Sequence, residues 1–210
     1  MSTTSLSLLS SALFLALTSS AFAASSVDLT VKGSITPSAC TPALSDGGAV
    51  DYGKIAAKDL NLDKETSLPI QSMQFSVSCD AATLMAIRTI DNRVGSSSGG
   101  PDSEKFGLGL INSTEKLGYM GLKFATSQVV DGAPAGSVSS ENKEGPWMNS
   151  RYWAHEIYVA PSVPSGSAPI PAKLWTAELR IAPKIAPTSE LTLTGEVPMD
   201  GSVTVEVVYL

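Results

Sequence analysis

The sequence predicts an all-β sandwich, and three observations carry that prediction. Apolar and polar residues alternate with a period of two in segment after segment. Turn dipeptides built on Asp and Gly separate these segments, and 13 Pro residues are spread along the chain. No stretch longer than a short turn carries a capped helical period.

The strand patterns fall in order. Val27, Leu29, Val31 and Ile35 alternate with polar residues and predict a first strand. Met73, Phe75, Val77 and Cys79 predict the next clear one, then Met120, Leu122 and Phe124. Trp175, Ala177, Leu179 and Ile181 follow, which places Trp175 in the core, and Val203, Val205, Val207 and Tyr209 close the series. Each set has one wet and one dry face, as a half-buried strand requires. Val50–Ile55, Thr83–Ile90, Glu156–Ala160 and Leu191–Val197 are weaker strand patterns, and Ala56–Asn61 is a short helical turn. Asp46-Gly47-Gly48, Asp131-Gly132 and Asp200-Gly201 supply turns with a left-handed Gly. Gly95–Pro101 and Asp131–Pro146, rich in Gly and Ser, read as exposed loops.

Residues 1–27 contain no Asp, Glu, Lys or Arg. Their apolar stretch, Leu6–Leu17, is shorter than the roughly 20 residues that span a bilayer. It runs into Ala21-Phe22-Ala23, a small-x-small signal-peptidase pattern. The expectation is a signal peptide over 1–23 and a single domain over 24–210, with no membrane span in the mature chain. An oxidising compartment would then join Cys40 to Cys79, pinning the sheets of the sandwich.

Composition excludes several classes of function. The chain has Lys+Arg 14 against Asp+Glu 20, a formal net charge of -6. An acidic chain without a basic run offers nothing to nucleic acid or an anionic membrane surface. One His and two Cys are too few soft ligands for a zinc or iron–sulfur centre, and no cofactor motif occurs. Gly95-Ser96-Ser97-Ser98-Gly99 matches the G-x-S-x-G hydrolase pattern, but it lies in a Ser/Gly run followed by Gly100-Pro101. The elbow needs a strand before it and a helix after it. His155-Glu156 has no second His and forms no zinc-protease motif. The expectation is no enzyme activity and no catalytic or metal residues. Trp147, Tyr152, Trp153 and Tyr158 cluster beside a loop. They either plug one end of the sandwich or stack on a ligand such as a sugar, as a freestanding binding module would.

Two sets of segments carry a family resemblance. Val31-Lys32-Gly33-Ser34-Ile35, Cys40, Val50-Asp51-Tyr52-Gly53-Lys54-Ile55, Phe75-Ser76-Val77-Ser78-Cys79 and the closing 200–210 stretch, with its penultimate Tyr209, resemble a chaperone–usher pilin. Ala39-Cys40-Thr41-Pro42, Val50-Asp51-Tyr52-Gly53-Lys54, Asp91-Asn92-Arg93, Phe106-Gly107-Leu108-Gly109 and Tyr209-Leu210 resemble the GltF-like periplasmic proteins, a poorly characterised branch. The resemblance implies an immunoglobulin-like sandwich lacking its last strand, in the periplasm or on the surface of a Gram-negative bacterium. It implies as partners a periplasmic chaperone and other fimbrial subunits, bound through Val203, Val205, Val207 and Tyr209 by strand addition. The same four residues would equally serve as an internal strand of a complete sandwich. The chain departs from the pilin pattern in two places. Val197 stands where pilins carry a Gly, and Ala24–Asp28 is too short for a donor arm, which implies a subunit that accepts a strand more readily than it donates one.

Overall fold

The computed structural model describes residues 29–32, 39–100 and 102–210. The expected signal peptide and its cleavage site lie outside the described residues. The chain divides into two units, residues 1–35 and 36–210. In the first, Leu29–Lys32 is not a strand, contrary to the alternation there, and Leu29 and Val31 are exposed.

The second unit is all-β, as its periodicity requires. Its strands in chain order are β1 (Cys40–Leu44), β2 (Thr66–Ser67), β3 (Gln71–Thr83), β4 (Met85–Asp91), β5 (Phe106–Gly107), β6 (Leu110–Ile111), β7 (Glu115–Lys116), β8 (Gly118–Val130), β9 (Ala133–Ser140), β10 (Met148–Asn149), β11 (Tyr158–Ser162), β12 (Ala172–Ile185) and β13 (Val203–Tyr209). The main path of neighbours is β1-β3-β12-β8-β9-β11-β4-β13, and every pairing along it is antiparallel. The path folds over at the β8–β9 hairpin, where only three residue pairs join the two halves. The result is a sandwich whose two end strands, β1 and β13, come back towards each other.

Alternation explains the core. Met73, Phe75, Val77, Leu122, Phe124, Trp175, Leu179 and Ile181 all point inward from the long strands β3, β8 and β12 and are buried. Phe75 and Phe124 lie 5.1 Å apart, and Trp153 and Trp175 meet both rings edge-on. Such tilted contacts bring the positive ring edge to a negative ring face. The one buried side-chain amide among the described residues is bonded at both its oxygen and its nitrogen. Gln128 accepts the Trp175 indole N–H at 3.2 Å and donates to the Ser137 hydroxyl at 2.9 Å. Ser137 in turn donates to the Ser150 carbonyl.

Several expectations are corrected. Cys40 and Cys79 are bonded, but they are direct neighbours on β1 and β3, 4.0 Å apart at Cα. The bridge staples two strands of one sheet and does not pin one sheet to the other. Val50–Ile55 and Leu191–Val197 are not strands. Their apolar side chains cover the sandwich without pairing: Val50 packs on the main core, and Tyr52, Leu191, Leu193 and Val197 on a second cluster around Leu108, Leu117 and Ile185. The Ala56–Asn61 turn is a single 3₁₀ turn, Ala57–Asp59. The expected 131–146 loop contains β9, a paired strand with Val138 fully buried. In the 95–101 loop, Ser96 and Ser97 are buried, not exposed. Asp131 (φ 50) and Gly132 (φ 84) form the expected left-handed hairpin turn. Gly201 is different: its φ is not positive, and a Cβ there would meet Leu108 and Met120 at 3.0 and 3.2 Å. A side chain there would need the ends of Leu108 and Met120 to shift by a few tenths of an ångström.

Candidate strand-acceptor cleft

The two end strands leave an unfilled place between them. Among the described residues β1 pairs only with β3, and β13 only with β4. At one end they are tied together: the Cys40 backbone N–H donates to the Tyr209 hydroxyl at 3.0 Å. Towards Leu44 and Val203 they splay apart around a cleft of about 250 Å³. Met73, Leu122, Leu179 and Ile181 form its floor, Leu44 and Val50 one wall, Val203 and Val205 the other. No charged side chain of the described residues lines it.

Burial reports the same gap. Val203, Val205 and Val207 pack against the main core, yet all three stay only half-buried. The equivalent inward residues of the interior strands are almost wholly covered: Phe75 is 1% exposed and Leu179 2%. An inward-facing stripe of intermediate burial is one that the neighbouring described strand on the open side does not fully cover.

The register fixes which backbone groups face the gap. The Asn92 N–H donates to the Ser202 carbonyl, and the Leu210 N–H to the Leu84 carbonyl. Antiparallel pairs alternate, so residues 202, 204, 206, 208 and 210 turn their backbone groups to β4. Val203, Val205, Val207 and Tyr209 therefore turn theirs outward, to the free edge. On β1 the close Cys40–Cys79 pair is of the narrow, non-bonded kind, so Cys40, Pro42 and Leu44 face outward. Cys40's N–H is already taken, and Pro42 has none. The β13 edge is the richer template.

The approach to β13 is held in place. Arg93 binds Asp200 through Nε and Nη2, and the Asn92 amide donates to Ser202 and Thr204. Asp91, buried beneath, accepts the N–H groups of Arg93 and Gly107. Asp91-Asn92-Arg93 is thus the splint that positions the β13 start. Tyr52 borders the cleft, and burial pushes its phenol above the usual tyrosine range while a backbone contact at Gln71 opposes this.

The structure brings together Val203, Val205, Val207 and Tyr209 with the Cys40–Cys79 bridge. It does not bring together the four aromatics. Trp153 is in the core, Trp147 and Tyr158 pack on the small Ala86–Val138–Ala160 cluster, and Tyr152 is exposed under the Lys123 ammonium. His155 is structural: its Nδ1 accepts the Asp91 N–H at 3.0 Å. Sequence reasoning missed the cleft walls from Leu44 and Val50, and the role of Pro42. The proline's place in an outward-facing register is the one signal that points there. Among the described residues no helix is long and apolar enough to cross a membrane.

Residues 29–127 match a family model described as "Protein of unknown function (DUF1120)". The chain is also similar to two proteins of Escherichia coli (strain K12). It is 34% identical over 110 residues to "Uncharacterized protein YhcF", covering 49% of this chain and 46% of that protein. It is 38% identical over 95 residues to "Protein GltF", covering 41% and 37%. The chain spans less than half the length of these curated relatives. The matched stretch includes β1 and β3 with the disulfide but ends before β13.

Proposed function

We propose that the protein is an exported, fimbrial-like structural or assembly subunit that works by accepting a β-strand. The strand comes from a periplasmic chaperone or a neighbouring subunit and completes the sandwich between β13 and β1. One observation supports this above the rest: the inward valines of β13 are only half-buried over an uncharged cleft, beside an edge that pairs with no other strand among the described residues. Strand addition supplies what such a site lacks, main-chain hydrogen bonds to the edge and alternate side chains for the floor.

Size-exclusion chromatography of the chain made alone, and made with a cognate chaperone or donor peptide, tests the reading. The expected result is self-associated or unstable protein alone and a monomeric, stabilised complex with the donor. A monomer that is stable alone and unmoved by any donor overturns it. Val205→Glu sharpens the test, since a carboxylate in the cleft should abolish donor binding while the disulfide and strand content persist.

A further inference from the structure

We infer that a small, uncharged, apolar molecule binds between residues 53–57 and 193–199, and that the Lys54–Glu196 ion pair latches this pocket. The pocket is separate from the strand-acceptor cleft and shares only Met199 with it. Ligand binding here does not require strand addition there.

Two stretches without a partner strand make the walls. Residues 53–57 lie outside every strand, and so do residues 193–199, whose backbone makes no hydrogen bond with the described residues. Neither wall is held as a paired strand is held, so the two can part at low cost. Leu117 and Ile185 are buried and form the floor. Leu60, Leu193 and Val197 stay only half-buried around it. Apolar side chains left open around a concave site gain when an apolar body covers them.

Size and charge define the occupant. The space is about 450 Å³. An enclosed cavity of about 150 Å³ holds benzene, so this one admits two fused rings. Among the described residues, the only charged side chains at the pocket are Lys54 and Glu196, joined at 2.9 Å. Each already has its partner, so an ion drawn inside would find none and would bear its desolvation cost alone. The pair ties one wall to the other. Its side chains are 87% and 79% exposed, so it contributes little and opens readily.

Methyl NMR of the full, oxidised chain titrated with indole tests this. The expected result is saturable shifts at Leu117, Ile185, Leu193 and Val197, with Val203 and Val205 unmoved. Leu193→Trp brings its own ring into the space and should weaken indole binding at least about tenfold. Lys54→Gln changes only an exposed side chain, so it should leave the fold intact and speed indole release about two- to fivefold. Indole-3-acetate and tryptamine, the anionic and cationic counterparts, should bind at least about threefold more weakly.

No saturable shift, or shifts confined to Val203 and Val205, overturns the site. Unchanged affinity in a folded Leu193→Trp chain puts indole elsewhere and overturns it too. Unchanged release from Lys54→Gln removes the latch, and equal binding of the charged counterparts removes the selection against charge. None of these outcomes bears on the strand-acceptor cleft.

Discussion

Arg93 holds Asp200 by two parallel hydrogen bonds of 2.9 Å, across 107 residues of sequence. The guanidinium fork matches the carboxylate, a geometry a lysine cannot reproduce. Asp200 lies three residues before β13 begins at Val203, so this pair holds the approach to the strand. Both side chains are partly solvated, which limits their worth. Arg93→Lys should cost about 1 kcal/mol or less in denaturant unfolding. It should also speed hydrogen exchange at Thr204 more than at Glu206 and Val208, whose amides face β4. Uniform exchange along β13 would contradict the splint role.

The disulfide makes a larger prediction. Its bridge spans 39 residues of separation, so reduction should remove roughly 4 kcal/mol by the chain-entropy relation. Urea unfolding of oxidised and reduced protein measures this. Because Cys40 also meets Tyr209, reduction should loosen the closed end of the cleft first, seen as early exchange of the Cys40 amide.

Gln128 carries a third prediction. It is 1% exposed and serves both the Trp175 N–H and the Ser137 hydroxyl. Gln128→Leu keeps the apolar volume but leaves the Trp175 N–H without its acceptor, at a cost of about 1–3 kcal/mol, while the Ser137 hydroxyl keeps its bond to the Ser150 carbonyl. A shift in the denaturant midpoint with an unchanged slope is the expected readout.

A fourth concerns pH. Hydrogen bonds from the Thr192 N–H, at 2.7 Å, and from Asn112 hold the Glu115 carboxyl below the usual glutamate range. A lowered folded pKa means that these bonds stabilise above the ordinary glutamate value, near 4.3, and are lost as pH falls through the folded value. Lys184 runs the other way. Tyr119 and Glu65 raise it, so its contribution is full below the ordinary lysine value and lost as pH rises through the raised one. Exchange of the Thr192 amide should therefore rise in acid beyond the intrinsic trend, and Glu115→Gln should flatten that response.

The long strands were legible because each buries one face. Met73 to Cys79 and Trp175 to Ile181 alternate for that reason and lie in strands as expected. Alternation reports one-sided burial, however, not hydrogen bonding. Val50–Ile55 and Leu191–Val197 bury alternate side chains with no partner strand, so they imitate strands. β9 hid for the opposite reason: Ala135, Gly136, Ser137 and Ser140 are small enough to pack tightly, and their composition reads as loop. At the cleft, the valines of β13 were legible, but their intermediate burial depends on how far β13 stands from β1, which no local pattern records. The Cys40–Tyr209 contact spans 169 residues and leaves no local pattern.

Pro42 has a consequence for symmetry. With β1 short of donors, the sheet has one strong edge and one weak one, which keeps its outward carbonyls. Two copies meeting through β13 would satisfy each other about a two-fold axis and then have only the weak β1 edge left. Stacking of this kind closes at the pair, where a sheet open on both sides would grow without end.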